Sequence, residues 1–552
     1  MTRPLAIIGG NVVDVDRCSV RRADVIVREG LITEIRRTGT TPAGCAVIDA
    51  SGAFIIPGLI NAHIHIESSH LVPSRFGSLV ASFGTTTAVC DPHEIVNVAG
   101  EAGLEFMLSD AKASPCDLLF MLPSCVPATT LETSGATLSA ADTERLFDRH
   151  PELLGLAEMM DVPGVLSRDP ETIGKIDAAR RIGKRVDGHF PFGSREELRR
   201  YASAGITSDH ESVSAEDALE KVACGMSVFI REGGSARNLR AVLRAVTDKN
   251  FRSFCFCTDD ATVAHLLKAG GDMLPIVREA VSSGLDPVLA VAIATANPAR
   301  HYALSDRGSV REGLKADLAI VRDLKGFELL GVIKDGRPIK VRTRLSAPPH
   351  VAKVMSSVQP SGVGRLRFPT PPKHAHKARV IQVLPTEITT PMVEVPVADL
   401  PHLARLAVVS RYGRRGGTAY GFAQGTGLVR GAVAQTIAHD SHNIIVIGAD
   451  DEDMRIAVRR LKEIGGGVVV SLYGAIIGEF PMPYGGLMTD LAPRAAARAE
   501  HALLRAIRRT GIDLPSPITT LAFLSLPVIP ELKITDLGLV DVHRGRFVDL
   551  YE

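Results

Sequence analysis

Short β-like runs rich in apolar residues occupy the first part of the chain, and the pattern changes after Pro57. Residues 5–15 and 25–36 form two such runs, separated by turn residues as in hairpins. After Pro57, short apolar strands alternate with amphipathic stretches such as 196–204 and 236–249, which is typical of parallel βα units. The pattern therefore predicts a small β-rich lobe followed by a larger α/β region.

Eight candidate strands follow Pro57. They end near Ile66, Asp91, Leu122, Met159, His189, His210, Ile230 and Asp259. Eight βα units over roughly 200–250 residues match the size of a (β/α)8 TIM barrel, which we predict for residues 57–304. An open, doubly wound sheet is the alternative, because a sequence pattern does not show whether a sheet closes.

Two further regions follow the predicted barrel. Residues 343–378 are rich in proline, serine and basic residues, and we interpret them as a linker. His374 and His376 lie in this polar stretch, and we assign them no role. Strand-like and helical stretches return in residues 379–552, which predicts a C-terminal α/β domain.

Composition and charge favour a small-molecule ligand. The chain of 552 residues has 63 Lys and Arg against 62 Asp and Glu, a net charge of +1. This balance gives no overall field that would attract nucleic acid or an anionic membrane. No apolar run reaches the roughly 18–20 residues of a membrane span, and the first residues lack a secretory signal pattern. The eight scattered cysteines are typical of reduced thiols, so we predict a cytoplasmic protein.

Residue types that bind metals recur at the predicted strand ends. His63 and His65 are two residues apart, so on a strand their imidazoles point to the same side. Later strand ends supply Glu158, His189, His210 and Asp259. Each residue alone equally fits a structural role, but TIM-barrel active sites lie at these strand ends. Four imidazoles and two carboxylates there predict a site for two divalent ions, with Glu158 bridging them.

The motifs that carry these residues resemble the amidohydrolase superfamily and, within it, the bacterial adenine deaminases. They are Pro-Gly-Leu-Ile-Asn-Ala-His-Ile-His at 57–65, Asp-Pro-His-Glu at 91–94, Gly-Leu-Ala-Glu-Met at 155–159, Asp-Gly-His at 187–189, Ser-Asp-His-Glu at 208–211 and Cys-Thr-Asp-Asp at 257–260. Two later motifs, at 438–444 and 523–532, resemble the adenine deaminase branch specifically.

The resemblance implies a fold and an activity. Residues 1–56 and 305–342 would form one discontinuous β-rich lobe. A metal-bound hydroxide at a binuclear centre would convert adenine to hypoxanthine and ammonia. Manganese or iron are the favoured ions, with zinc as the alternative, and the protein is expected to be a homo-oligomer, a dimer or larger.

The resemblance also suggests residue roles. Asp259, beside the metals, would take the proton of the hydroxide and pass it to the departing amine. Glu211 would hydrogen-bond to the purine ring and protonate it. Four neighbours are candidates for contact with substrate, for an additional ion or for support of the ligands. These are His93, Glu94, Arg231 and Asp260.

A polar cluster in the C-terminal region contains His439 and His442. It lies just before a predicted buried strand, where loops often carry function. We predict that this domain closes over the barrel mouth of its own or a neighbouring subunit. A hydrogen-bonded turn is the alternative.

Some positions depart from the family pattern. Asn61 stands where aspartate is more usual, Phe190 and Phe192 follow His189 where smaller residues are usual, and the segment after Asp260 lacks Glu-Gly-His. A deaminase of another 6-substituted purine is therefore an alternative, and further off a hydrolase of cyclic amides. Outside the enzymes, the alternative is an inactive amidohydrolase-fold scaffold, and the presence of all six predicted ligands argues against it.

Overall fold

The computed structural model describes residues 3–39, 44–234, 236–339, 346–360, 363–385, 387–413 and 417–552. It begins with five strands. They are β1 (Leu5–Asp14), β2 (Ser19–Arg28), β3 (Leu31–Arg36), β4 (Ala46–Asp49) and β5 (Phe54–Pro57). β1, β2 and β3 pair antiparallel in sequence order, and β4 and β5 pair parallel with β1. Alternating inward residues such as Val25 and Val27 form the core of this lobe.

The next region alternates eight strands with helices. The strands are β6 (Leu59–Ile64), β7 (Thr85–Cys90), β8 (Asp117–Phe120), β9 (Gly155–Met159), β10 (Arg185–Gly188), β11 (Ser208–Asp209), β12 (Ser227–Arg231) and β13 (Phe254–Cys257). The helices are α1 (Pro73–Ala81), α2 (His93–Ala99), α3 (Glu101–Ala111), α4 (Ala140–Arg149), α5 (Val162–Ser167), α6 (Pro170–Arg181), α7 (Arg195–Ser203), α8 (Ala215–Ala223), α9 (Leu239–Val242), α10 (Val263–Ala269), α11 (Met273–Ser282), α12 (Pro287–Ile293) and α13 (Ala296–His301).

These eight strands close into a barrel. Neighbouring strands pair in parallel from β6 to β8, from β9 to β10 and from β11 to β13. A bridge between Leu122 and Leu156 joins β8 to β9, and the Thr207 amide donates to the Val186 carbonyl at 2.8 Å between β10 and β11. The Asp259 amide donates to the His63 carbonyl at 3.1 Å and closes the circle. The predicted (β/α)8 fold is confirmed.

Strand alternation explains why β13 is continuously apolar. On β13, Cys255 and Cys257 lie in the cluster that fills the barrel interior, with small residues such as Ala62 and Ala157. Phe254 and Phe256 of the same strand lie in the outer cluster with the surrounding helices. Both faces of β13 are therefore buried, as expected for a parallel sheet covered by helices.

Three strands after the barrel return to the N-terminal lobe. They are β14 (Leu318–Val321), β15 (Leu329–Lys334) and β16 (Arg337–Pro338). β14 runs antiparallel to β5, and the lobe's sheet has the order β16-β15-β14-β5-β1-β2-β3, with β4 beside β1. The predicted boundary between residues 342 and 343 lies outside the described residues, and the predicted domain bounds stay predictions.

The rest of the chain is an α/β region. Its strands are β17 (Gln359–Pro360), β18 (Lys377–Gln382), β19 (Met392–Pro396), β20 (Ala404–Val409), β21 (Tyr412–Gly413), β22 (Thr418–Gln424), β23 (Ala432–Gln435), β24 (Ile444–Gly448), β25 (Gly467–Leu472), β26 (Ala475–Pro481), β27 (Leu532–Thr535), β28 (Gly538–Asp541) and β29 (Arg546–Val548). Its helices are α14 (Ala352–Met355), α15 (Asp451–Glu463), α16 (Pro493–Arg509) and α17 (Pro517–Ala522).

One face of the C-terminal sheet is buried against the barrel. The sheet has the order β19-β18-β22-β20-β24-β23-β25-β26. α15 covers one face, while side chains of the other face share a core cluster with α16 and with the barrel helices. α16 packs against α10 and α1 of the barrel, and α14, from the predicted linker, packs against α2 and α3. Barrel and C-terminal region therefore share one apolar interface.

None of the described helices has the length and apolar character needed to cross a bilayer.

Lys533 on β27 is a fully buried lysine whose protonation should affect stability. Its Nζ donates to the Ile388 carbonyl at 2.8 Å, and burial lowers its pKa from 10.5 to about 7. In the unfolded chain this lysine stays protonated up to its ordinary pKa of 10.5. Burial of the charged form therefore lowers the free energy of unfolding by its full amount below about pH 7, and this loss decreases to zero as the pH rises through 10.5. We expect Lys533→Met to raise the urea denaturation midpoint at about pH 6, with a smaller gain at about pH 9.5.

The exposed Lys373 provides the matched control for this substitution. Lys373→Met should change the midpoint little at either pH. An equal gain from Lys533→Met at both pH values would contradict the assignment of a depressed pKa.

Candidate metal centre

The six predicted ligands converge at the carboxyl ends of the barrel strands. Each ligand is one of the last two residues of its strand or follows the strand within two residues, and the carboxyl ends of the parallel strands lie at one rim of the barrel. They are His63, His65, Glu158, His189, His210 and Asp259. His189 is partly exposed, and the others are buried.

Four of these side chains surround one point. His65 Nε2 lies 3.2 Å from His63 Nε2, 3.3 Å from Glu158 Oε1 and 3.1 Å from Asp259 Oδ1. Ligands about 2.0–2.2 Å from a common ion are separated by similar distances. His65 Nδ1 lies 3.1 Å from the Asp91 carbonyl oxygen, and a hydrogen bond there leaves the lone pair of Nε2 for an ion. This group fits one divalent cation.

A second group lies on the other side of Glu158. Glu158 Oε2 is 2.8 Å from His189 Nδ1 and 3.1 Å from His210 Nε2. The two oxygens of Glu158 therefore face two different sets of nitrogens, as the predicted bridging role requires. His189 is held by its backbone, because its amide donates to the Tyr201 hydroxyl at 2.9 Å.

The electrostatic field of these groups favours cations. Burial alone would raise the pKa of Glu158, but His210, His189 and His65 hold it well below its usual value. Burial alone would lower the pKa of His65, but Asp259 and Glu158 raise it well above its usual value. The attraction that favours a proton here also favours a divalent ion between the same groups.

Arg231 links two of the candidate catalytic residues. It forms a bidentate ion pair with Glu211, in which Arg231 NH2 lies 3.0 Å from Glu211 Oε2. Arg231 NH1 also donates to Asp259 Oδ2 at 3.0 Å. Burial alone would raise the pKa of Glu211, but Arg231 and His189 lower it, so Glu211 is a carboxylate. Arg231 thus fixes two carboxylates beside the metal ligands.

Asn61, one of the departures from the family pattern, supports the loop that carries Asp259. Its Nδ2 donates to Thr258 Oγ1 at 2.8 Å and to Asp272 Oδ2 at 3.2 Å, behind the ligands. An amide serves this role because it can donate to both acceptors. A second departure, at Phe190 and Phe192, affects no ligand, since Phe190 packs against Tyr201 in the core and Phe192 is exposed.

The C-terminal region of the same chain reaches the barrel mouth. His439 Nδ1 lies 3.6 Å from Glu94 Oε1, and His442 Nε2 lies 3.7 Å from Glu94 Oε2. The loop also contains a local hydrogen bond, from the His442 amide to the Ala438 carbonyl at 2.7 Å. The side chain of the buried Arg411 donates to the His442 carbonyl at 3.1 Å and anchors this loop.

The remaining predicted residues lie on the same rim. His93, at the start of α2, contacts Asp91 and Glu158, and Asp260 accepts a hydrogen bond from Ser68. A cavity of about 260 Å³ lies beside Ser68, Asp260 and His439. By contrast, the amide of His376 donates to the carbonyl of Glu552 in the C-terminal region.

Three residues of the rim were not predicted: the buried Glu67 and Asp440 and the partly exposed Ser68. Asp440 Oδ1 lies 3.8 Å from His93 Nε2. Glu67 Oε1 accepts a hydrogen bond from the Ile95 amide at 3.1 Å. The sequence offered a signal for Asp440, which is the acidic neighbour of His439 in the polar cluster. Glu67 and Ser68 follow His65 in a short helix, and the sequence does not show which way that helix turns its side chains.

Comparison with known proteins places the chain among related sequences. Residues 54–339 match the amidohydrolase family, and residues 386–546 match the adenine deaminase C-terminal domain. An adenine deaminase of Desulfatibacillum aliphaticivorans is 38% identical over 99% of this chain and 97% of that protein. An adenine deaminase of Thermosipho africanus is 40% identical over 92% of this chain and 90% of that protein. Among solved structures, a beta-aspartyl dipeptidase of Fervidobacterium islandicum is 17% identical over 61% of this chain and 97% of its own, with a TM-score of 0.47.

Proposed function

The chain belongs to the adenine deaminases of the amidohydrolase family, and from this premise we propose that it hydrolyses adenine to hypoxanthine and ammonia. In this reaction a C6–O bond forms with water and the C6–N bond to the amino group breaks. The observation that carries the proposal is the convergence of the six ligand side chains at one rim of the barrel, where the two oxygens of Glu158 face different nitrogens. The full set of ligands argues against an inactive scaffold.

We propose that the site holds two divalent ions. Glu158 would bridge them, with His63, His65 and Asp259 on one ion and His189 and His210 on the other. When bound, such ions polarise a substrate and allow a water molecule to lose a proton at neutral pH. The donors are imidazole nitrogens and carboxylate oxygens, which suit manganese or iron and also accept zinc.

Asp259 is the proposed proton carrier. Its Oδ1 faces the ligand nitrogens, while its Oδ2 accepts a hydrogen bond from Arg231 at 3.0 Å. The side chain is thus fixed where it can take a proton from the attacking water and deliver it to the amine at C6. A positioned carboxylate of this kind contributes about 10²–10⁴-fold to the rate.

Glu211 is the proposed partner of the purine ring. Its Oε1 lies 3.3 Å from His210 Nε2, so it lies beside the second ligand group. Because Arg231 holds it as a carboxylate, it first accepts a hydrogen bond from an N–H group of the purine. It can protonate a ring nitrogen only after it has taken up a proton.

Substrate choice is tested by ammonia release from adenine, from other 6-substituted purines and from cyclic ureides, with metal-loaded protein. We expect adenine to be the preferred substrate and hypoxanthine to be its product. No reaction with adenine would overturn the assignment, and a faster reaction with another purine would establish the main alternative.

Removal of metal should abolish this activity. Treatment with a chelator is expected to reduce ammonia release to background, because both ions are needed to activate water. Addition of Mn²⁺ or Fe²⁺ should restore it in proportion to the metal bound, as measured by elemental analysis. Full activity in protein that contains no metal would contradict the proposal.

We also propose that the enzyme works in the cytoplasm as a homo-oligomer. All eight cysteines are free, which supports a reducing compartment. Native mass spectrometry of the purified protein would determine the oligomeric state.

A further inference from the structure

A second group of potential ligands lies where the C-terminal loop meets the barrel. It combines His93 and Glu94 of α2 with His439 and Asp440 of the loop. His439 Nδ1 lies 3.6 Å from Glu94 Oε1 and 3.6 Å from Asp440 Oδ1. Asp440 Oδ1 lies 3.8 Å from His93 Nε2. The four side chains are buried, and none of these contacts is short enough to be a hydrogen bond.

These separations resemble those of ligands around one ion. Ligands placed tetrahedrally at about 2.0–2.2 Å from a cation lie about 3.3–3.6 Å from one another. The observed separations of 3.6 to 3.8 Å are slightly longer, so small side-chain movements would bring the atoms to bonding distance. Nitrogen and oxygen donors alternate along the three contacts that join Glu94, His439, Asp440 and His93, and each donor belongs to a different residue.

Protonation of the histidines selects which of them can bind. His93 Nδ1 lies 3.2 Å from Asp91 Oδ2, and a proton shared there leaves the lone pair of His93 Nε2 directed at Asp440. The Ala438 amide donates to His442 Nδ1 at 3.2 Å, so neutral His442 carries its proton on Nε2. His442 Nε2 therefore has no free lone pair to direct at Glu94 Oε2, 3.7 Å away, and His442 is excluded as a ligand.

The charge around this group also requires a partner. Four buried carboxylates lie on this side of the rim without an ion pair to lysine or arginine in the described part of the chain. They are Glu67, Asp91, Glu94 and Asp440. Asp440 is 2% exposed, and its Oδ2 has no hydrogen-bond partner. Burial of carboxylates without compensating charge is unfavourable, and a bound cation would offset this cost.

We propose that His93, Glu94, His439 and Asp440 bind a third divalent cation, separate from the predicted pair. Its ligands come from both the barrel and the C-terminal loop, so the ion fastens the two regions together. The loop is suited to this role, because His439 stacks on Phe523 with ring centres 4.8 Å apart, which restrains the plane of the imidazole ring. The proposal does not depend on which substrate the enzyme uses.

Counting bound ions tests the proposal. Metal-depleted protein is titrated with Mn²⁺, and free Mn²⁺ is measured by electron paramagnetic resonance. We expect three bound ions per chain in the wild type and two in Asp440→Asn, whose side chain has a similar shape and a weaker ligand. Ser441→Ala alters the adjacent residue, and His374→Gln alters a surface histidine. Both should retain three ions.

Two results would overturn the proposal: two ions in the wild type, or three in Asp440→Asn. Should Asp440→Asn fail to fold, crystals of the wild type grown with Mn²⁺ provide the second test. An anomalous-scattering peak is expected within bonding distance of His93 Nε2 and His439 Nδ1, and its absence would overturn the proposal. Ammonia release is measured separately, so a failure of the deaminase assignment leaves the ion count unaffected.

Discussion

Replacing Glu158 with glutamine is expected to lower the rate of adenine deamination by about 10³-fold or more and to prevent simultaneous binding of the two proposed metal ions. The two oxygens of Glu158 face different nitrogens, with Oε1 3.3 Å from His65 Nε2 and Oε2 2.8 Å from His189 Nδ1. Glutamine has one oxygen, and its NH2 group would face one of these nitrogens as a donor. It can therefore support one ion at most and cannot supply the negative charge that two ions share.

The measurements for this variant are the metal content after loading with Mn²⁺ and the kcat for adenine. Asp110→Asn is the matched control, because Asp110 is also a buried carboxylate and accepts a hydrogen bond from the Ser74 amide at 2.7 Å outside the site. It should lower stability without changing the ion count. If Glu158→Gln kept the full ion count of the wild type and wild-type turnover, the proposed bridge would be wrong.

The barrel and its ligands could be predicted because the information is local. Each strand is a short apolar run, and each ligand lies at the end of its own run, as His63 does on β6 and Glu158 on β9. Closure of the barrel depends instead on a contact between distant segments, the hydrogen bond from the Asp259 amide to the His63 carbonyl. Local patterns predict strands, whereas closure follows from their register and tilt.

Contacts between distant loops were the least predictable part of the site. Arg231 pairs with both Glu211 and Asp259, and its position at a strand end showed only that it lies on the rim. The approach of Asp440 to His93 depends on how the C-terminal sheet packs on the barrel. Such packing is set by a shared apolar interface, which leaves no periodic pattern in the loops themselves.

The helix predicted after β12 is shorter in the structure than the sequence pattern indicates. The apolar spacing predicts a helix over 236–249, but the structure has only α9 (Leu239–Val242) and one further 3-10 turn. Glu232 and Arg237 form a β-bridge that holds the first residues away from helical geometry. The nearby Gly233 is required there, because a Cβ would lie 2.1 Å from the Thr258 carbonyl oxygen. The close approach of this loop to the segment carrying Asp259 therefore overrides the helical pattern.

Asp259→Asn is expected to reduce kcat for adenine by about 10²–10⁴-fold, the contribution of a positioned acid–base group. Asp259 has a left-handed backbone with φ of 57°, which asparagine tolerates as well as aspartate does, so the loop should keep its shape. The amide can still offer an oxygen to the ion beside His65, but it can no longer accept the proton of the attacking water. Loss of turnover should therefore exceed loss of metal.

Comparison with Arg231→Gln separates proton transfer from positioning. That variant keeps the Asp259 carboxylate but removes the hydrogen bond that holds Oδ2 at 3.0 Å, so we expect a smaller fall in kcat and an altered pH–rate profile. Both variants are assayed at saturating Mn²⁺, with bound metal measured in the same samples. Equal kcat for Asp259→Asn and the wild type, with both ions bound, would show that another group carries the proton. The next candidate would be Glu211, which the same arginine holds beside His210.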